Sequence, residues 1–158
     1  MSQRWLSSVV ERLAPSTHGT GAPDTAAAPR ETTRHDDTDL DIDVVRCVNV
    51  SKGTVVAERV IWATGAAKRR GLLERDSLAM HEGMYLVPCQ WIHMFGMRFP
   101  IDVAFLAADG RVLAVHHALR PNRLSRLVVR AAGVLELAVG ALSASQTTVD
   151  DCLELLDP

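Results

Sequence analysis

Residues 101–117 constrain the fold more than any other stretch of this chain. Ile101, Val103 and Phe105 share one side of an extended backbone, and Asp102, Ala104 and Leu106 share the other. Ala108-Asp109-Gly110 is a tight-turn signal. The return run sets Val112, Ala114 and His116 against Leu113, Val115 and His117. Both faces of the resulting hairpin are partly apolar, so it belongs inside a layered β structure rather than at its rim.

The surrounding residues extend the same reading. Residues 42–50 and 55–62 are rich in β-branched side chains and flank the turn Ser51-Lys52-Gly53-Thr54, which predicts a second hairpin. Residues 83–87, 133–137 and 152–156 read as further strands, and 89–94 looks extended up to the break at Gly96. A capping-type Thr64 and a stop at Gly71 predict one short helix, and residues 141–146 a helical turn. The expected fold is mainly β: a single compact β-sandwich or barrel of about eight short strands with one or two short helices.

This pattern begins only at Ile42. Residues 1–14 place Trp5, Leu6, Val9, Val10 and Leu13 at helical spacing, a short amphipathic helix that is either a docking or weak membrane-surface segment or a frayed terminus that folds only on contact. Residues 15–41 carry three prolines, an Ala run and the acidic Asp36, Asp37, Asp39 and Asp41. Such a segment buries too little apolar surface to offset its ordering entropy, so 1–41 is expected to be a helix plus a disordered acidic linker ahead of a domain at 42–158.

Composition excludes several functions. A net charge of −2 argues against a nucleic-acid binder. Cys47, Cys89 and Cys152 are odd in number and far apart, which argues against a disulfide scaffold and for a reducing, cytoplasmic setting. No apolar run reaches the roughly 18 residues of a transmembrane segment. Phosphate-binding Gly loops, paired Cys sites and helix-borne metal motifs are missing, so no cofactor is expected.

Within residues 63–156 several short pieces occur in order: Arg70-Gly71-Leu72-Leu73, then Pro88-Cys89-Gln90-Trp91-Ile92-His93, then the run from Phe95 through Leu106. Asp109-Gly110-Arg111-Val112-Leu113, Arg120-Pro121, and Val134-Leu135-Glu136-Leu137 with Gly140 follow. Together they resemble the family called domain of unknown function 192. The resemblance implies a compact, mainly β fold and brings no activity, substrate or cofactor. The chain departs from the pattern at Asp150-Asp151, where Gly-Asp is usual, at Glu74 (Gly) and at Met94 (Thr). A turn that needs positive φ tolerates Asp better than most residues, so the first departure bears on local geometry rather than fold.

A few residues could carry chemistry. Cys89, His93 and Met97 are soft donors of the kind that hold copper or zinc, although their spacing matches no metal motif. The bland reading of the same set is a buried His among core Met and Cys side chains. Asp102, mid-strand among apolar neighbours, needs a partner: Arg98, His93 or a backbone N–H. With His93 it could form an acid–base pair; otherwise it is a satisfied polar staple. Cys89 is a weak candidate nucleophile, with His93 the only local base. Glu136 interrupts an apolar strand, and alternation could simply aim it at solvent. Arg120, Arg123, Arg126 and Arg130 form a basic set that, with Arg98, could meet an anion or merely be a solvated loop. Adjacent His116 and His117 point apart on a strand and cannot chelate together.

Three functions fit. The first is a non-catalytic binding or accessory module for an unknown small molecule or protein, with ligand contacts from Arg98, Arg120 and Glu136. The second is a hydrolase-type enzyme using Asp102 and His93, with or without metal. The third is an assembly protein that docks through its N-terminal helix.

Overall fold

Both hairpins read from the sequence are present. In the computed structural model, which describes residues 43–158, β1 (Val44–Asn49) pairs antiparallel with β2 (Thr54–Ala63), and β4 (Ile101–Leu106) with β5 (Val112–Leu119). The second turn has Gly110 at φ 84° and the Asp109 carboxylate accepting the Arg111 amide, the chemistry that Asp-Gly supplies. The amphipathic stretch of residues 1–14 and the acidic linker to residue 41 lie outside the described residues.

Helix α1 (Gly65–Arg70) follows β2. Thr64 occupies the expected N-cap position but makes no side-chain capping bond; its carbonyl accepts the Lys68 amide instead. Strand β3 (Glu82–Leu86) then returns parallel to β2. Strand β6 (Gly133–Leu137) joins β3 to β4, antiparallel to both. Helix α2 (Ala141–Ala144) and strand β7 (Leu153–Leu156) complete the chain, with β7 antiparallel to β1. One mixed sheet results, ordered β5-β4-β6-β3-β2-β1-β7 and curled into a half-barrel. The mainly β expectation holds, with seven strands rather than eight.

The missing strand is residues 89–94. They are extended, but they pair outside the sheet with residues 122–128. The Met94 amide donates to the Arg123 carbonyl, the Ser125 amide to Ile92, and the Val128 amide to Gln90. The Ile92 amide donates to the Ser125 hydroxyl rather than to a backbone carbonyl, so the ladder stays irregular. This ribbon lies over one face of the sheet.

The curl places an apolar cluster on each face. Tyr85, Leu106, Leu135, Leu137, Leu142 and Leu153 belong to one. Met84, Leu86, Ile92, Val103, Phe105 and Val134 belong to the other, over which the ribbon packs. Every residue of β4 and of β6 is buried, as two apolar faces require. At the seam, the Val112 amide donates to Asp151, the Leu153 amide to Gly110, and Arg111 bridges Cys152. The two outer strands of the sheet therefore meet where both begin. A buried set beside them ties β1 to the last turn: the Asn49 side chain donates through Nδ2 to the Thr147 hydroxyl at 3.1 Å and to the Asp151 carboxylate at 3.0 Å. Asp150 sits at φ 71°, the conformation for which Asp substitutes for Gly.

Gly133 is required by packing rather than by its backbone angle. A Cβ there would lie 2.4 Å from the Tyr85 ring carbon Cζ and hydroxyl. Tyr85 is fully buried and cannot swing away. Gly133→Ala is expected to lower stability by about 2 kcal/mol, the typical cost of overpacking. Urea unfolding at constant slope checks this, and restoration by Tyr85→Leu in the same chain would assign the clash.

Candidate functional site

The site follows from strand alternation on β6. Leu135 and Leu137 face one cluster, so Val134 and Glu136 face the other. Glu136 stands opposite Met84 on β3 and Val103 on β4, two buried apolar neighbours. Its carboxyl is almost fully buried, and Oε2 has no hydrogen-bond partner. Burial alone raises its pKa to about 8. Near neutral pH Glu136 is therefore a neutral acid carrying a hydrogen-bond donor.

Glu136 lines a cavity of about 710 Å³ on the ribbon-covered face, within the usual range for small-ligand sites. Leu72, Leu86, Ile92 and Met97 supply apolar wall; Lys68, Arg69 and Arg70 at the end of α1 supply positive charge. The ribbon contributes Cys89, Gln90, Trp91 and His93. Lys68 donates through Nζ to the Pro88 carbonyl, and Arg70 lies 3.9 Å from Glu74. Arg69 forms no ion pair among the described residues. With Glu136 neutral, the charged groups lining the cavity are cations.

The sequence candidates divide. Cys89, Met97 and Glu136 converge on this cavity, with His93 at its rim; Arg98, Asp102 and Arg120 do not line it. Glu136 is buried, which overturns the solvent-facing reading. His93 is exposed on the outer side of the ribbon, stacked 5.7 Å from Phe95, so the buried-His reading is also wrong. The ribbon, not the sheet, determines its orientation. Among the described residues no three His, Cys, Asp or Glu side chains gather where they could hold a metal ion. Cys89 donates through Sγ to the Trp91 carbonyl at 3.2 Å. Burial pushes its pKa up, and outweighs the opposing effects of that bond and of Lys68. It is held as the thiol, the poorer nucleophile.

Asp102 is a staple. It is fully buried; Oδ1 accepts the Ala118 amide at 2.9 Å, and Oδ2 accepts the Gly140 and Leu142 amides at 2.9 and 3.2 Å. These bonds pin the start of α2 and a left-handed Ala118, at φ 50°, to β4. The histidine beside it is His117, at 3.9 Å, while His116 packs against Phe105 on the opposite face. Arg98 pairs with Asp76 on the surface, and Arg120 is exposed.

The sequence alone reads Lys68 and Arg69, with Arg70 and Arg75, as a solvated basic cluster, and the cavity gives Lys68 and Arg69 a place in its wall. One signal was available: the separate pieces 70–73, 88–93 and 134–137 all contribute to the same cavity.

Comparison with known proteins agrees with the fold. A crystal structure of a proposed transcription regulator from Sinorhizobium meliloti 1021 is 26% identical, with a TM-score of 0.60 over 71% of this chain and 92% of that one. A protein of unknown function from Novosphingobium aromaticivorans DSM 12444 is 25% identical, with a TM-score of 0.59 over 85% of this chain and 99% of that one. No curated protein matches the chain. Residues 47–155 match the family model DUF192, described as an uncharacterized ACR. With the match spanning nearly all of the half-barrel, the chain belongs to the domain of unknown function 192 family.

Proposed function

We propose that this chain is a non-catalytic binding module that takes a compact amphipathic anion into the cavity beside α1. One observation carries the reading: an unpartnered, buried Glu136 carboxyl lines a cavity large enough for a small molecule. Unpaired buried polar atoms are costly, and a ligand acceptor meeting the neutral carboxyl would relieve that cost. Lys68, Arg69 and Arg70 would meet the anionic end, and Leu72, Leu86 and Ile92 the apolar body. What supports binding over an Asp102–His93 acid–base pair is that Asp102 is already bonded to three backbone amides. The stretch before residue 42 enters this proposal only as a tether, and the cytoplasmic setting expected from the unpaired cysteines belongs to it as well.

Anilinonaphthalene sulfonate, an apolar aromatic anion, is a suitable probe for calorimetric titration. It is expected to bind saturably at one site, with Arg69→Gln weakening it about tenfold, the loss of one charge-assisted contact. Affinity is expected to fall as pH rises through about 8, where Glu136 ionises inside the cavity. Glu136→Gln is expected to remove that pH dependence. Absence of saturable binding, or binding indifferent to both substitutions, would reject this site.

A further inference from the structure

The outer face of the ribbon carries an unpartnered surface separate from the cavity's interior. Trp91, Phe95, Leu124, Leu127 and Val129 are each more than half exposed. Their exposure has a structural reason. Ile92 and Met94 turn inward, so Trp91, His93 and Phe95 turn outward. The bridge between His93 and Leu124 puts Leu124 on the same face. Val128 packs inward on the second cluster, which turns its neighbours Leu127 and Val129 outward.

Within the two segments that form the ribbon the charged side chains have one sign, and Asp76, from the segment after α1, is paired with Arg98 beside them. Arg123 and Arg126 lie on the second strand of the ribbon and Arg120 and Arg130 flank it, and none of the four forms an ion pair among the described residues. Residues 110–135 contain no Asp or Glu, nor do 83–101, although the whole chain is net acidic. Positive charge is therefore concentrated in the segments from which these apolar side chains project.

We infer that this ribbon is a docking surface for an anionic phospholipid bilayer. Exposed aliphatic and aromatic side chains enter the boundary between headgroups and acyl chains, with Trp favoured at that depth. Arginines with long stems reach phosphates around the inserted side chains. Single-stranded nucleic acid would use the aromatic rings and the arginines but has no place for Leu124, Leu127 and Val129. Trp91 and His93 also line the cavity, so docking would bring its rim to the lipid surface.

The test uses the full chain and sedimentation with phosphatidylcholine vesicles, with and without phosphatidylglycerol. Binding is expected only with the anionic lipid and is expected to weaken with salt. Arg123→Gln with Arg126→Gln should reduce partitioning about 30-fold, from two charges near an anionic surface. Leu127→Ser with Val129→Ser should reduce it about tenfold or more. Neither pair touches the cavity, so anilinonaphthalene sulfonate affinity and melting temperature should be unchanged and report an intact fold. Failure of the native chain to bind anionic vesicles would overturn the inference, as would equal binding by both double variants. Preferential capture of a single-stranded oligonucleotide through the same arginines would overturn it too.

Discussion

Asp102→Ala is expected to destabilise the domain by roughly 4 kcal/mol, a large share of the stability of a domain this size. The substitution removes the acceptor of three backbone amides at once, from Ala118, Gly140 and Leu142. Each orphaned donor that stays buried costs about 1–3 kcal/mol, and water reaching the less buried two would recover part of that. Asp102→Asn keeps one carboxylate-like oxygen and should cost about half as much. Urea unfolding measures the loss; hydrogen exchange should show faster amides at Gly140 and Leu142 while the β3–β6 ladder keeps its protection. A loss under about 1 kcal/mol would mean that these bonds do not hold α2 in place.

Glu136→Gln is expected to act in the opposite direction, stabilising the unliganded domain by about 3 kcal/mol near pH 7. The folded carboxyl titrates at about 8 against an ordinary value of 4.5, because burial disfavours the charged form. Its proton is thus held more tightly in the folded state. The favourable contribution is complete below about 4.5, declines as pH rises, and is gone above 8. Unfolding curves for the two proteins should coincide in stability at acid pH and separate progressively towards alkaline pH. A constant difference across the range would show that Glu136 does not titrate as a buried acid. A ligand that occupies the cavity and bonds to the carboxyl should narrow the gap. Comparing loaded and stripped protein therefore connects this measurement to binding.

Strand periodicity made much of this architecture legible. The 101–106 run and its return were readable because two apolar faces and an Asp-Gly turn leave few alternatives. Glu136 was harder to interpret. Its alternation fixed which face of β6 it occupies, but only the sheet order, which sets Met84 and Val103 beside it, reveals that this face is dry. His93 was misread for a related reason. Alternation put it opposite Ile92 and Met94, yet which side of that run faces the sheet depends on residues 122–128, about thirty positions away. Asp102 was recognised as needing a partner, but its three donors come from segments 16–40 residues distant and from backbone groups, which have no sequence signature.

The seam joining Arg111 to Cys152 also constrains the order of events during synthesis. The β1–β2 and β4–β5 hairpins can form as they leave the ribosome. The half-barrel cannot join its two edges at this corner until β7 has emerged, because four residues pair with β1 while their neighbour grips the start of β5. Until then the margins of β1 and β5 are bare and can recruit strands from other nascent chains, a period in which chaperone protection has most value.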